Sequence, residues 1–203
     1  MTATTLWTGW DPGPGTPTTP PEEFARSRGA AGEVLFELLA LAGRGFRPPR
    51  YLTVADALAH DGAPGSNAAS SSPGAFRRSW SVEYRWIAQT APMSVTPYGI
   101  YLLGVDPPRD ATDAELVTFN DFYTNVHLPE VAERRNALRA ERFERVRMIL
   151  APAKGAPRYL AVYEVDEAGA SRRRHVGPPY SKGPDVWQRH TTPWRIWYRR
   201  ITE

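Results

Sequence analysis

The residues able to do chemistry concentrate in one stretch, Phe119–Pro129 (FNDFYTNVHLP), which sets a histidine, a tyrosine, an amide and a carboxylate close together. Leu116, Phe119, Tyr123 and His127 recur at spacings of three and four, so their side chains share one face of a predicted helix. Neutral imidazole takes a proton from a carbon beside a carbonyl, and imidazolium returns one, both within cellular pH. Tyr123, one turn before His127, is placed to donate a hydrogen bond to a developing enolate oxygen. His127 and Tyr123 are therefore the catalytic candidates, with Phe119 and Asn120 as substrate contacts. The same spacing also suits a purely structural helix, with Phe119 and Tyr123 in a core and His127 half-buried beside them.

The surrounding residues position that face. Thr112 and Glu115 form a capping box that starts the helix. Pro129 disfavours helical geometry at Leu128, which predicts that the helix stops with His127 in its last turn. There the negative end of the helix dipole would favour the protonated imidazole. Asp121 is as well suited to the solvent side of the helix as to a site.

Composition removes several classes of function. The chain has 203 residues and no cysteine, which excludes disulfides, thiolate catalysis and cysteine-held zinc or iron–sulfur, and fits a cytoplasmic protein. The spacings contain no H-x-x-x-H, no glycine-rich phosphate loop and no nucleophile elbow, so hydrolytic and nucleotide-dependent readings gain no support, and neither a metal nor a cofactor is expected. The net charge of +3 rests on arginines interleaved with acids, as in Arg139–Arg147, rather than on a nucleic-acid footprint. Arg172–Arg174 is the one purely basic run. No apolar run approaches the roughly 20 residues of a membrane span, and Met1–Pro21 lacks the pattern of a signal peptide. The expected partner is a small hydrophobic or aromatic molecule, neither nucleic acid nor membrane, bound by a monomer or homodimer.

The chain also repeats itself. Leu6–Trp10 ends in Asp11-Pro12, and Tyr98–Val105 ends in Asp106-Pro107. Pro49–Ala57 (PRYLTVADA) returns as Pro157–Val165 (PRYLAVYEV), and Trp80–Ile87 (WSVEYRWI) returns as Trp194–Ile201 (WRIWYRRI). Glu22–Leu41 reads as a helix, weakened by Gly29 and Gly32, and Leu138–Leu150 as a charge-laced strand. Anchors in the same order with drifting offsets predict two β-α-β-β-(α)-β units, residues 4–89 and 97–203. An α+β architecture follows, with two four-stranded sheets packed face to face as a pseudo-dimeric barrel and a cavity between each sheet and its helices. Aligning Phe24 on Phe119 sets Gly32 where the second copy has His127, so the first half is expected to be degenerate and the second to carry the site.

The run F-N-D-F-Y-x-x-x-H-L-P, followed by P-R-Y-L-A-V-Y-E, a late G-P-x-x-W and a closing aromatic strand, resembles the dimeric α/β-barrel superfamily, in particular its EthD-like branch. The resemblance implies a ferredoxin-like fold and a hydrophobic pocket for aromatic or polyketide-like molecules. It aligns His127 with the family's H-x-P histidine and Tyr123 with its aromatic neighbour. Under it, Tyr163, Trp187, Trp194, His175 and His190 become substrate contacts, the last two in the segment between the final strands. The function expected is a cofactor-independent cyclase, isomerase or lyase acting on an aromatic or polyketide-type intermediate. A cofactor-free monooxygenase and a non-catalytic small-molecule binding protein are the alternatives.

Overall fold

The structure is a computed structural model that describes residues 3–13, 21–28, 33–41, 48–56, 76–91, 95–152, 155–171 and 179–201. Its strands are β1 (Thr4–Pro12), β2 (Val34–Leu41), β3 (Tyr51–Asp56), β4 (Phe76–Gln89), β5 (Gly99–Asp106), β6 (Arg139–Leu150), β7 (Tyr159–Val165) and β8 (Thr191–Arg200). They close into one antiparallel barrel in the order β1-β3-β2-β8-β5-β7-β6-β4. The helices are α1 (Pro21–Arg28), α2 (Asp113–Phe122), α3 (Leu128–Arg135), α4 (Glu167–Ser171) and α5 (Asp185–Gln188).

Strand alternation sorts the side chains into two layers. Along β5, Ile100 and Leu102 enter the barrel with Trp80, Tyr84, Phe143, Trp194 and Tyr198, while Tyr101, Leu103 and Val105 face out beneath α2 and α3. Both faces of β5 and β7 are buried, which explains their nearly unbroken apolar sequences. A smaller cluster of Trp10, Phe24, Leu35, Tyr51 and Phe76 anchors α1.

The expected architecture is overturned. The sheets do not pack face to face as two ferredoxin-like α+β units forming a pseudo-dimeric α/β barrel. They are one continuous sheet, because β2 hydrogen-bonds to β8 and β4 to β6. Free strand edges carry unpaired N–H and C=O groups, and joining them edge to edge satisfies those groups in a way that stacking the sheets would not. Register shifts in both seams, at Leu38/Ala40 and at Trp86/Ala88 among others, supply the bends that closure requires. Read around the barrel from β4, the order is β4-β1-β3-β2 and then β8-β5-β7-β6, one pattern used twice.

The helix expected over Glu22–Leu41 is short. It is α1 only, and the apolar run VLFELLAL after it forms β2. The helix at Asp113 begins where its capping box places it, with Glu115 N donating to Thr112 Oγ1 and Thr112 N to Glu115 Oε2. It does not stop at Pro129. A π-helical turn over Tyr123–His127 leads directly into α3, with Leu128 N–H bonded to the Tyr123 carbonyl. Proline lacks an N–H and crowds the carbonyl one turn back, and a widened turn accommodates both defects without ending the helix. Among the described residues, no helix is long and apolar enough to cross a membrane.

Candidate functional site

The π-helical turn presents Tyr123 and His127 to the outer face of β5, β6 and β7, and both side chains are buried. His127 is 8 % exposed, and its ring lies 4.6 Å from Trp187, 5.4 Å from Tyr180 and 5.9 Å from Tyr123. Burial lowers its pKa to about 4, against a smaller upward pull from Glu130, while His190 and Arg134 add to the lowering. The expected dipole effect is thus overturned. The helix continues past His127, desolvation dominates, and the imidazole is neutral at cellular pH.

Beneath this helix lies a residue that sequence reading passed over. Arg142 of β6 is fully buried at 0 % exposure, and its guanidinium sits 4.2 Å from the Tyr123 ring centre and 4.4 Å from that of Tyr159. Its hydrogen bonds go to the Asn120 side-chain oxygen (2.5 Å), the Asn120 carbonyl (3.3 Å) and Thr124 Oγ1 (2.7 Å), all of them neutral groups. Glu144, which acts on it from farther away, is bonded to Arg85 and Arg158. Arg142 is therefore a buried cation with no carboxylate at hydrogen-bonding distance among the described residues, and burial lowers its pKa. Such a charge is costly to bury without a compensating anion.

The same layer holds further polar atoms with no hydrogen-bond partner among the described residues: Tyr123 Oη, Tyr163 Oη, His127 Nδ1, Arg135 Nε and Arg142 Nε. Arg135 rests over the Tyr101 ring at 4.0 Å. Tyr101 and Tyr163 stand 5.9 Å apart, and burial holds the hydroxyls of Tyr101, Tyr123 and Tyr163 in their protonated form. Buried polar groups are normally paired, so this concentration of hydroxyls, guanidinium N–H groups and one neutral imidazole is a surface suited to an oxygen-rich or anionic guest.

The structure gathers most of the sequence-predicted residues here. Phe119 packs on Tyr159 and Trp187, Asn120 holds Arg142, and His190 stacks on Trp187 at 4.3 Å with its Nδ1 2.5 Å from the Trp187 carbonyl. Tyr163 lies in the layer as well. Trp194 does not: it is inside the barrel against Trp80. His175 falls outside the described residues. Asp121 is exposed and accepts from Asn125. Arg142 escaped because Arg139–Arg147 reads as a solvated charge run. Alternation alone carries the signal, since it sets Arg142 on the same face as Ala140, the face that α2 and α3 cover.

Inside the barrel, a space of about 630 Å³ opens at one end. Trp7, Phe36, Trp86 and Phe143 line it together with Arg139, Glu141, Glu164 and Arg200. Burial raises the pKa of Glu141. Among the described residues, no group of three or more histidine, aspartate or glutamate side chains converges to hold a metal ion. The chain matches no known protein-family description and no curated protein.

Proposed function

We propose that the chain is an acid–base enzyme for a small aromatic or polyketide-type ketone, acting at the layer between α2, α3 and the barrel wall. The observation that carries this reading is Arg142, a fully buried guanidinium whose hydrogen bonds among the described residues all go to neutral groups, beside two tyrosine hydroxyls without a partner among those residues and a neutral histidine. The resemblance of Phe119–Pro129 to the EthD-like run points the same way.

In this mechanism, His127 takes a proton from the carbon next to the substrate carbonyl. The electron pair of the broken C–H bond moves to the carbonyl oxygen, where Arg142 and the hydroxyls of Tyr123 and Tyr163 receive the enolate. An imidazole with a pKa near 4 is a weak base in the free protein. The enolate formed beside it supplies the counter-charge that makes imidazolium tolerable, so proton uptake is coupled to substrate ionisation. Return of the proton to another atom completes an isomerisation; attack of the enolate carbon on a second carbonyl, whose π electrons move to its oxygen and take the proton back from the imidazolium, completes a cyclisation. Tyr180 and Trp187 cover His127, so the substrate enters as their segment lifts. At the surface that segment is tied by weak hydrogen bonds from Ser181 to Glu130 and by the pairing of Arg189 with Asp110 and Glu115. Arg134 also donates to the Pro179 carbonyl, and beneath the segment the buried Trp187 packs on Phe119 and Phe122, so lifting it must expose that ring.

The test is deuterium wash-in at the α-carbon of aromatic 1,3-diketones, followed by NMR. The chain should accelerate exchange over buffer, and His127→Ala should cost on the order of 100-fold or more. His127→Gln should do no better, because an amide cannot shuttle a proton, and Tyr123→Phe should fall between. Exchange at the buffer rate, or variants that keep activity in proportion to folded protein, would overturn the reading. Oxygen uptake during turnover would redirect it to a monooxygenase.

A further inference from the structure

We propose that the barrel interior is a second binding site, separate from the His127 layer, that takes a flat apolar molecule bearing one carboxylate or other single anionic group, with Arg200 as its counter-ion. The cavity of about 630 Å³ lies within the size range of small-molecule sites and opens at the end of the barrel where β1, β2 and β5 begin and β8 ends. Its wall is aromatic and aliphatic, from Trp7, Phe36, Trp86, Phe143, Ile100 and Val162. Rings on several sides favour a flat guest over a chain.

The polar groups at the cavity decide its charge preference. Arg139 is held by Glu164 through two hydrogen bonds, of 2.7 Å and 3.0 Å, and by Glu141 at 3.0 Å. Both carboxylates are thereby committed to one guanidinium within the wall. Arg200 is committed to none: its side chain makes no ion pair or hydrogen bond with the described residues, yet it lines the cavity. Its cross-strand partner is Phe36, a residue of the barrel interior, and Tyr198, two positions earlier on β8, also faces inward. Alternation therefore directs Arg200 to the interior. A guanidinium at the edge of an apolar, partly enclosed space is a fork for a carboxylate.

The reading is separable from the proposed enzyme, because none of the cavity's lining residues belongs to the His127 layer. The probe is 2-naphthoate, compared with the neutral 2-naphthamide and the cationic 2-naphthylmethylamine, in calorimetric titration of the full chain. The acid should bind one per chain and at least tenfold tighter than the amide. Arg200→Gln should remove that difference without moving the melting temperature, and Val162→Trp, which fills the cavity, should abolish binding of all three. Val54→Phe serves the same purpose if the tryptophan variant does not fold. The proposal is overturned if the amine binds as tightly as the acid, if nothing binds, or if acid binding ignores both Arg200→Gln and cavity filling. It is equally overturned if binding falls with His127→Ala, which would place the probe in the other layer.

Discussion

Tyr84 and Tyr198 make matching hydrogen bonds in the two halves of the chain: Tyr84 Oη donates to the Pro157 carbonyl and Tyr198 Oη to the Pro49 carbonyl, each at 3.1 Å. The two prolines open the repeated Pro-Arg-Tyr-Leu. Each also presses on a glycine, since a Cβ at Gly9 would lie 2.5 Å from Pro49 Cγ and one at Gly104 would lie 2.6 Å from Pro157 Cγ. The arginine after each proline donates its backbone N–H to an aspartate, Arg50 to Asp11 and Arg158 to Asp106. The repeat therefore persists at positions where side chain and backbone lock strands together. Tyr84→Phe and Tyr198→Phe should each cost about 1–2 kcal/mol in chemical denaturation, because a buried carbonyl loses its donor. The double variant should lose the sum. A loss confined to one of the pair would show that the correspondence is geometric only.

The neutral, buried His127 makes stability depend on pH. Its folded pKa of about 4 lies below the ordinary value of 6.5, so the unfolded chain binds the proton first as pH falls. Stability is then complete above pH 6.5 and is lost on acidification toward pH 4, by an amount on the order of 3 kcal/mol. Glu141, raised by burial, acts with the opposite sign in the carboxylate range, so the informative quantity is the difference between wild type and His127→Gln. That difference should shrink steadily between pH 6.5 and 4; a flat difference would mean that the imidazole is not desolvated.

Arg142 separates a structural role from a functional one. Were it simply structural, Arg142→Met would destabilise by about 1–3 kcal/mol, because the acceptors of Asn120 and Thr124 would lose their donor. As an anion receptor held at the expense of stability, it should give a Met variant with a melting temperature equal to or above that of wild type and no deuterium wash-in activity. Thermal melting and exchange on the same preparation decide between the two.

Thr112→Ala should cost about 1 kcal/mol, the ordinary value of a lost N-cap. Glu115, the other half of the box, also pairs with Arg189 beside α5, so Glu115→Ala should cost more and should loosen the segment covering His127. Hydrogen exchange of the amides in residues 179–190 reports that loosening.

The features legible in the sequence were local. The capping box, the buried stripe of Phe119, Tyr123 and His127, and the strand anchors at Tyr51 and Tyr159 all follow from spacing over a few residues. Barrel closure was not legible, because the partners of Phe36 and Trp86 across the seams, Arg200 and Phe143, are remote in sequence and nothing near them marks the pairing. β2 was hidden for a related reason: an unbroken apolar run such as VLFELLAL suits a buried helix as well as a strand, and its place against β8 decides the matter. Arg142 was invisible because the flanking acids and bases of β6 disguise which face is covered.

The two seams also predict how a fragment behaves. A chain of Pro97–Glu203 keeps β5 to β8 but removes β2 from the edge of β8 and β4 from the edge of β6. It would expose two unpaired edges and an inner face built of Ile100, Leu102, Phe143, Leu160, Trp194, Ile196 and Tyr198. Edges and faces of that kind drive association. In the intact protein β6 pairs with β4, a strand whose Trp80–Ile87 run repeats in β8. A second copy of the fragment can therefore offer its β8 where β4 is missing, twice over, and close an eight-stranded barrel. The fragment should sediment as a dimer, or precipitate where the seam residues fit poorly. A soluble monomer with protected β6 amides would show that closure contributes little to the stability of these strands.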